Sequence, residues 1–447
     1  MRTMHIAKKL KDWTQVVATV VLVSALAACG GGGDSGSSSS SGSTGSTGGS
    51  TGGSAGGSSS SGLPPSPTQQ PIAATAANTV AITVAHGVTG VINIPTISVT
   101  VCVPGTGTCQ KIDNIQVDTG SFGLRIVNSA LNSTMQAGLP ISTSTSGGQL
   151  AECATFADGY TWGSVRTATV TIGGETTTAA VPLQIIGDKA ASTTPSAGCG
   201  SGSAENTAND LGANGIIGIG TALYDCGSTC ANASTAGTYS NYFSCPGGTS
   251  CTRTAVPLAS QVANPVAKFP LDNNGVIVQM PPIGDNGAAS ATGTLVFGIG
   301  TQSNNALGSA QTFTTDGAGD LTNSVFNGNT VTAFLDSGSN GYFFNDSSLT
   351  LCGSNFSGFY CPSGAQTRSI TLVGQNSVQA VANIGIQSAS TLFRNGTNYA
   401  FNDLAGQIGG LAAFDLGLPF FYGRHVYHGF DLRPTGGTQA PFVAYAS

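Results

Sequence analysis

Two stretches of the 447-residue chain carry residue types suited to acid–base chemistry, at matched spacing. They are Val117-Asp118-Thr119-Gly120-Ser121 and Leu335-Asp336-Ser337-Gly338-Ser339. In each, an apolar run ends on Asp, and a hydroxyl residue, a glycine and a serine follow. Two carboxyl groups held a few ångström apart cannot both ionise, so they share one proton across a useful pH range. One can take a proton from a water lying between them while the other protonates a carbonyl oxygen. Such a pair titrates as a unit, and neither Asp has a fixed role as acid or base. Gly120 and Gly338 let the turn backbone come close, where a side chain would clash. Ser121 and Ser339 can donate to the outer carboxylate oxygens.

The triplet D-[ST]-G by itself decides nothing. A chain with 17 Asp and this much Ser, Thr and Gly holds about one by chance, as short motifs do. Asp34-Ser35-Gly36-Ser37 has the same letters inside a Gly/Ser/Thr run where no chemistry is expected. The other two copies differ by their context. Ile112 to Leu124 and Val331 to Phe343 share an apolar run, the motif, two spacer positions and a second apolar run. Each is followed later by an apolar-apolar-glycine segment, Asn214 to Gly220 after the first and Phe414 to Phe421 after the second. Two halves of similar order, each with one Asp, predict a pseudo-twofold, two-lobed body.

The elements that must position these residues read as strands. Long segments of helical period are absent, and short Val/Ile/Thr/Phe runs recur between Gly, Asn and Ser. Expected strands include Thr79 to Val84, Val91 to Val103, Thr167 to Ile172, Gly275 to Met280, Thr294 to Ile299 and Val378 to Ile386. Residues 102–109 read as a hairpin tip stapled by Cys102 and Cys109, whose second strand delivers Asp118. With Cys29 set aside, ten cysteines remain. Cys102/Cys109, Cys226/Cys230, Cys245/Cys251 and Cys352/Cys361 are close neighbours, and Cys153/Cys199 remain. Five disulfides in an oxidising compartment are expected, although the Cys226 to Cys251 cluster admits other pairings. A zinc site is disfavoured, since there is no C-x2-C pair and the histidines lie far from the cysteines. His425 and His428 are expected on a strand surface. Asp113, Asp210, Asp225 and Asp415 lack the repeat context and are expected as turns. No metal or cofactor is expected.

With these blocks in order, the chain from about Val91 to Tyr445 resembles the pepsin-like aspartic peptidases. Asp118-Thr119-Gly120-Ser121 and Asp336-Ser337-Gly338-Ser339 match the two active-site turns. Gly215-Ile216-Ile217-Gly218 resembles the "DGILG" segment, residues 293–298 the "GELVFGG" strand, and Leu416 to Asp431 the "ILGDVFLRxYYTVFD" block. The resemblance implies an all-β, bilobal, pepsin-like double β-barrel with a cleft between lobes at 71–300 and 301–447. It implies Asp118 and Asp336 as catalytic carboxylates, with Thr119 and Ser337 hydrogen-bonding across the lobe interface. It also implies a flap, whose best match is Phe156-Ala157-Asp158-Gly159-Tyr160. There the chain departs from the family. Phe156 replaces the flap Tyr, and Arg125 follows the first motif where the Trp bonded to that Tyr is found. Tyr160 or Trp162 is an alternative from a shifted register, or both merely pack. Arg125 is expected at the surface, with a salt bridge or a substrate carboxylate as its other fates.

Residues 1–28 read as a signal peptide, with Arg2, Lys8, Lys9 and Lys11 ahead of an apolar run too short to span a bilayer comfortably. Leu26-Ala27-Ala28-Cys29 resembles the bacterial lipobox, which implies a lipid on Cys29. Gly30, by that pattern, favours the outer membrane. Residues 29–70, rich in Gly, Ser and Thr, read as a tether with an r.m.s. span of about 35 Å. Signal, tether and body together resemble a proteobacterial lipoprotein family of unknown function. Removing residues 1–28 leaves 10 basic and 19 acidic residues, net −9, which argues against nucleic acid as a partner. The leading expectation is a monomeric endopeptidase tethered to the outer membrane and acting on polypeptide. The alternative is an inactive protein of the same fold that binds a polypeptide or protein partner, and a surface β protein with a structural role comes third.

Overall fold

The computed structural model describes residues 62–447 except 197, 200 and 201. The signal segment, Cys29 and residues 30–61 of the tether therefore lie outside the described residues. The described chain is mostly β, with 24 strands, and its longest helix, Ala233–Tyr239, has 7 residues. Five disulfides join Cys102–Cys109, Cys153–Cys199, Cys226–Cys230, Cys245–Cys251 and Cys352–Cys361.

Six strands close into a barrel. Pro95–Cys102 pairs antiparallel with Cys109–Asp118, which runs parallel to Gly215–Ile219. Gly215–Ile219 is antiparallel to Phe122–Val127, and that strand is parallel to Val181–Ile186. Val181–Ile186 pairs antiparallel with Gly159–Ile172, which returns to Pro95–Cys102 and completes the ring. Closure leaves these strands no free edge. The barrel is filled by β-branched and Leu side chains, among them Val99, Ile115, Val117, Leu124, Val170, Leu183 and Ile217.

The second half repeats that order of pairings in a seven-stranded sheet. Leu321–Phe326 pairs antiparallel with Asn329–Asp336, which runs parallel to Ala413–Gly417. Ala413–Gly417 is antiparallel to Tyr342–Phe344, and that strand is parallel to Ala405–Gly406. The hairpin of Gln366–Val373 and Gln379–Ile386 attaches at the other side through Leu321–Phe326. No ladder joins this hairpin to Ala405–Gly406, but Gln387 N–H donates to Asp403 O at 2.9 Å, so the barrel is nearly closed.

A run of six antiparallel strands spans the two. In order they are Thr79–Val84, Ala291–Phe297, Gly275–Gln279, His425–Gly429, Phe442–Ala446 and Gln311–Thr314. Residues 62–72, at the end of the expected tether, lie against this body. Gln69 N–H donates to Gly423 O and Ile72 N–H to Gln279 Oε1, both at 2.9 Å, and Thr367 Oγ1 donates to Gly62 O at 2.8 Å. The strand expected to start at Val91 starts at Pro95 instead. Ahead of it Asn93 adopts a positive φ of 52° and is buried, tied by its side-chain amide to Asn340 O and Phe401 O in the other half.

Candidate active site

Each Asp of the repeated motif is the last residue of a strand, Cys109–Asp118 or Asn329–Asp336. In each half a later strand threads between the Asp strand and the strand that follows the turn. Gly218 sits opposite Asp118 and Gly123, and Gly417 opposite Asp336. Both positions need glycine, since a Cβ would stand 2.3 Å from Phe122 N at Gly218 and 2.1 Å from Gly341 O at Gly417. The "apolar-apolar-Gly" signal is thus the requirement of a strand squeezed against a turn.

The two turns are locked to one another by matching bonds. Thr119 Oγ1 donates to Leu335 O at 2.9 Å and accepts from Ser337 N–H at 2.9 Å. Ser337 Oγ donates to Val117 O at 2.8 Å and accepts from Thr119 N–H at 3.2 Å. The carboxylates are held alike. Asp118 Oδ1 accepts from Gly120 N–H and Asp336 Oδ1 from Gly338 N–H, each at 2.8 Å. Ser121 Oγ donates to Asp118 Oδ2, and Ser339 Oγ donates to Asp336 Oδ2 at 2.9 Å. Asp336 lies against the opposite turn, where a Cβ on Gly120 would be 2.6 Å from its Cγ. Gln116 Nε2 also crosses, donating to Gly338 O at 3.0 Å. The structure therefore brings Asp118, Thr119, Gly120, Ser121, Asp336, Ser337, Gly338 and Ser339 into one cluster. Both carboxyl groups belong to residues with no exposed surface.

The residues matched to the flap lie at the hairpin of Gln149–Thr155 and Gly159–Ile172. Phe156 is buried among Val127, Ile186, Leu211 and Ile216, so its ring is spent on packing. Asp158 is half-buried in the turn, and Gly159 and Tyr160 pair with Ser203–Ala204. Tyr160 packs on the cluster around Trp162, whose buried ring meets Phe243 edge-on at 5.6 Å. Trp162 thus packs, as the simpler expectation had it.

Arg125 is not at the surface. It is 3% exposed, and its Nη2 reaches Glu152 Oε1 at 2.5 Å and Asp225 Oδ2 at 3.2 Å. Its Nη1 donates to Phe122 O at 2.8 Å. Asp225, expected in a turn, is buried here and accepts from Tyr242 O–H at 2.5 Å. Burial, with Glu152 beside it, pushes the Asp225 carboxyl well up, against the pull of Arg125 and Tyr242. A raised Asp225 carboxyl keeps its proton more readily, which lessens the negative charge gathered on Arg125 in this buried site. This cluster ties the strand after the first turn to the hairpin strand carrying Glu152.

His428 and Asp415 also differ from expectation. His428 is buried, its Nε2 contacts Leu335 O at 3.1 Å, and its Nδ1 has no partner among the described residues. Desolvation lowers its pKa to about 4. Asp415 lies inside the strand Ala413–Gly417 with no exposed surface. His425 is half-buried and reaches Gln70 O at 2.8 Å. Asp113 occupies a strand near a bulge, exposed and paired with Lys111, while Asp210 lies in a short helix capped by Thr207. Glu152 and Tyr242 were not singled out in the sequence. A signal was present, because Glu152 is one of only three Glu and interrupts an apolar strand.

Removing the cation should expose the cost of the buried acids. Arg125→Met should destabilise the fold by about 3–5 kcal/mol, the penalty for breaking a buried ion pair from one side. Urea unfolding measures this, and a loss under about 1 kcal/mol would contradict the network's role. His428 gives a pH dependence. Its folded pKa lies below the unfolded value near 6.5, so the unfolded chain binds more protons between pH 6.5 and about 4. Stability from this group is present above pH 6.5 and is lost as pH falls, by about 3 kcal/mol in total. His428→Gln should flatten that part of the stability profile, and an unchanged slope would rule the assignment out.

No curated protein matches this sequence. Residues 74–445 match one family over most of the chain, and the chain belongs to that family, described as "Protein of unknown function (DUF3443)".

Proposed function

We propose that the protein is an aspartic endopeptidase of pepsin-like, bilobal architecture, tethered to the outer membrane by a lipid on Cys29. The observation that carries this reading is the reciprocal lock between Thr119 and Ser337, which holds two Asp-ended turns face to face. The repeated order of strand pairings around each Asp supports a pseudo-twofold relation between a first lobe and a second. In this reading the substrate carbonyl lies at the mouth of the Asp118–Asp336 pair. One carboxylate takes a proton from water as the water oxygen attacks the carbonyl carbon. The other gives its proton to the carbonyl oxygen. Collapse of the tetrahedral species breaks the C–N bond, and the leaving nitrogen takes up a proton from the dyad. No covalent enzyme intermediate and no cofactor are required.

The second reading is a protein of the same architecture that binds a polypeptide without cleaving it. Two observations favour it, the packing of Phe156 into an apolar cluster and the place of Arg125 in a buried ion network. Neither residue offers the hydroxyl or indole of an active flap.

Incubation of residues 62–447, made in an oxidising compartment, with denatured casein from pH 3 to 7 separates the two. Wild type should cleave, and Asp118→Ala and Asp336→Ala should each lose at least about a thousandfold in kcat/KM while keeping the wild-type circular dichroism. A well-folded wild type that binds casein at every pH and never cuts it would favour the binding protein. The anchor has its own assay: Cys29→Ser in the full chain should abolish incorporation of labelled fatty acid, and retained label would place any lipid elsewhere.

A further inference from the structure

Asp415 is the carboxyl that the proposed dyad does not use. It sits on the strand next to Asp336, where Gly417 pairs with Asp336 and Asp415 pairs with Phe334. Side chains alternate along a strand, so Asp415 and Gly417 point to the same face as Phe334 and Asp336. Gly417 has no side chain to fill the space, which leaves Asp415 a diagonal line to Asp336. The matching place in the first half is Ile216, opposite Gln116. An acid therefore stands where the repeat has a hydrocarbon.

Its surroundings are hostile to an anion. Asp415 has no exposed surface, and neither Oδ1 nor Oδ2 has a hydrogen-bond partner among the described residues. It pairs across the sheet with Phe334 on one side and Phe343 on the other. The charged groups that act on it are Asp336 and Asp118, both acids. The one group opposing this is the Ser339 hydroxyl, which favours the ionised form of Asp415 and already donates to Asp336 Oδ2 at 2.9 Å. An unpaired buried carboxylate beside two like charges would cost several kcal/mol, and such a group keeps its proton instead.

We propose that Asp415 is a third carboxyl of this site, a positioning residue that remains protonated at neutral pH and acts on Asp336 through the Ser339 hydroxyl. Its O–H is the donor that Ser339 Oγ can accept while Ser339 donates to Asp336 Oδ2. The chain runs Asp415 to Ser339 to Asp336, and no covalent bond changes. The neutral acid fixes the direction of the Ser339 proton. Ionisation of Asp415 would place a further negative charge beside the dyad and oppose its working protonation state. Burial, and then Asp336, push the Asp415 carboxyl well above its ordinary value, in agreement with this geometry.

The effect on cleavage rests on the peptidase reading, but the protonation state does not, so two measurements are needed. The first is unfolding free energy against pH for wild type and Asp415→Asn. A folded carboxyl held above its unfolded value contributes stability that is full below the unfolded pKa and is lost as pH rises through the folded one. The stability of Asp415→Asn relative to wild type should therefore rise steadily with pH from about 4 upward. Parallel curves would overturn the proposal whether or not the protein is a peptidase. If the Asn variant does not fold, wild-type infrared spectra at neutral pH decide instead, through a protonated-carboxyl band that Asp415→Ile lacks. The second measurement is the pH profile of casein cleavage. Asp415→Asn should keep kcat/KM within tenfold at acid pH and extend its alkaline limb to higher pH. Asp415→Ile, which copies Ile216, should lower kcat and leave KM within twofold. An unchanged profile in both variants would overturn the link to Ser339, while a wild type that cleaves nothing would end the peptidase reading alone.

Discussion

Everything at this site depends on four hydrogen bonds between two short turns. Thr119 and Ser337 each use a side-chain hydroxyl to accept the other's backbone N–H and to donate to a carbonyl two residues before it in the opposite turn. All of these groups are buried. Buried backbone groups without partners are costly, so each turn satisfies the other and neither is complete alone. The two Asp strands belong to separate sheets, and it is this exchange that joins the turns at their ends.

Net charge is carried by few residues, and the chain buries a notable share of them. Arg125, Glu152, Asp225, Asp118, Asp336, Asp415 and His428 are all buried. They form two kinds of environment. Around Arg125 a cation is present, Glu152 and Asp225 both reach it, and Tyr242 O–H donates to Asp225. Around Asp118 and Asp336 the surroundings differ. There the polar groups are N–H and O–H donors from the turn itself, with His428 neutral nearby. A site of the first kind resists movement, because opening it strands an ion.

The sequence was most legible where chemistry and local geometry coincide. Runs of Val, Ile and Thr located Thr79–Val84 with its bounds and four other strands to within about four residues, but caught only the last part of Gly159–Ile172. Neighbouring cysteines suggested four of the five disulfides and left Cys153–Cys199 as the remainder, with the pairing inside the Cys226 to Cys251 cluster open until the structure fixed it. The duplicated motif located both turns, because hydroxyl, glycine and carboxylate at fixed spacing are what the lock requires. Long-range partners were not legible. Arg125 reads as a surface residue until the hairpin delivers Glu152 and a distant loop delivers Asp225. Asn93 falls inside an expected strand, yet it lies ahead of that strand, and its amide ties the first half to residues 340 and 401. Phe156 matches a flap position by letters, but a phenyl ring with an apolar cluster within reach has no reason to stay over a polar cleft.

The two halves are best compared row by row. In the first, Gln116, Ile216, Arg125 and Gln184 lie side by side on one face of the barrel wall. In the second, the matching row is Phe334, Asp415, Phe343 and Gly406. The rows facing the barrel interior, Val117, Ile217 and Leu124 against Leu335, Leu416 and Tyr342, remain aliphatic except at Tyr342. Packing density fixes an inner row, since any change there opens a void or forces a clash. An outer row is bound only by what covers it, and so the halves diverge there. One half placed its ion on the strand after the turn, where a hairpin acid and a loop acid reach it, and an apolar residue in the middle. The other placed Phe on both flanks and an acid in the middle, where the charges acting on it are those of Asp336 and Asp118. The duplicated frame explains why the two turns match, and its outer rows explain why their surroundings do not.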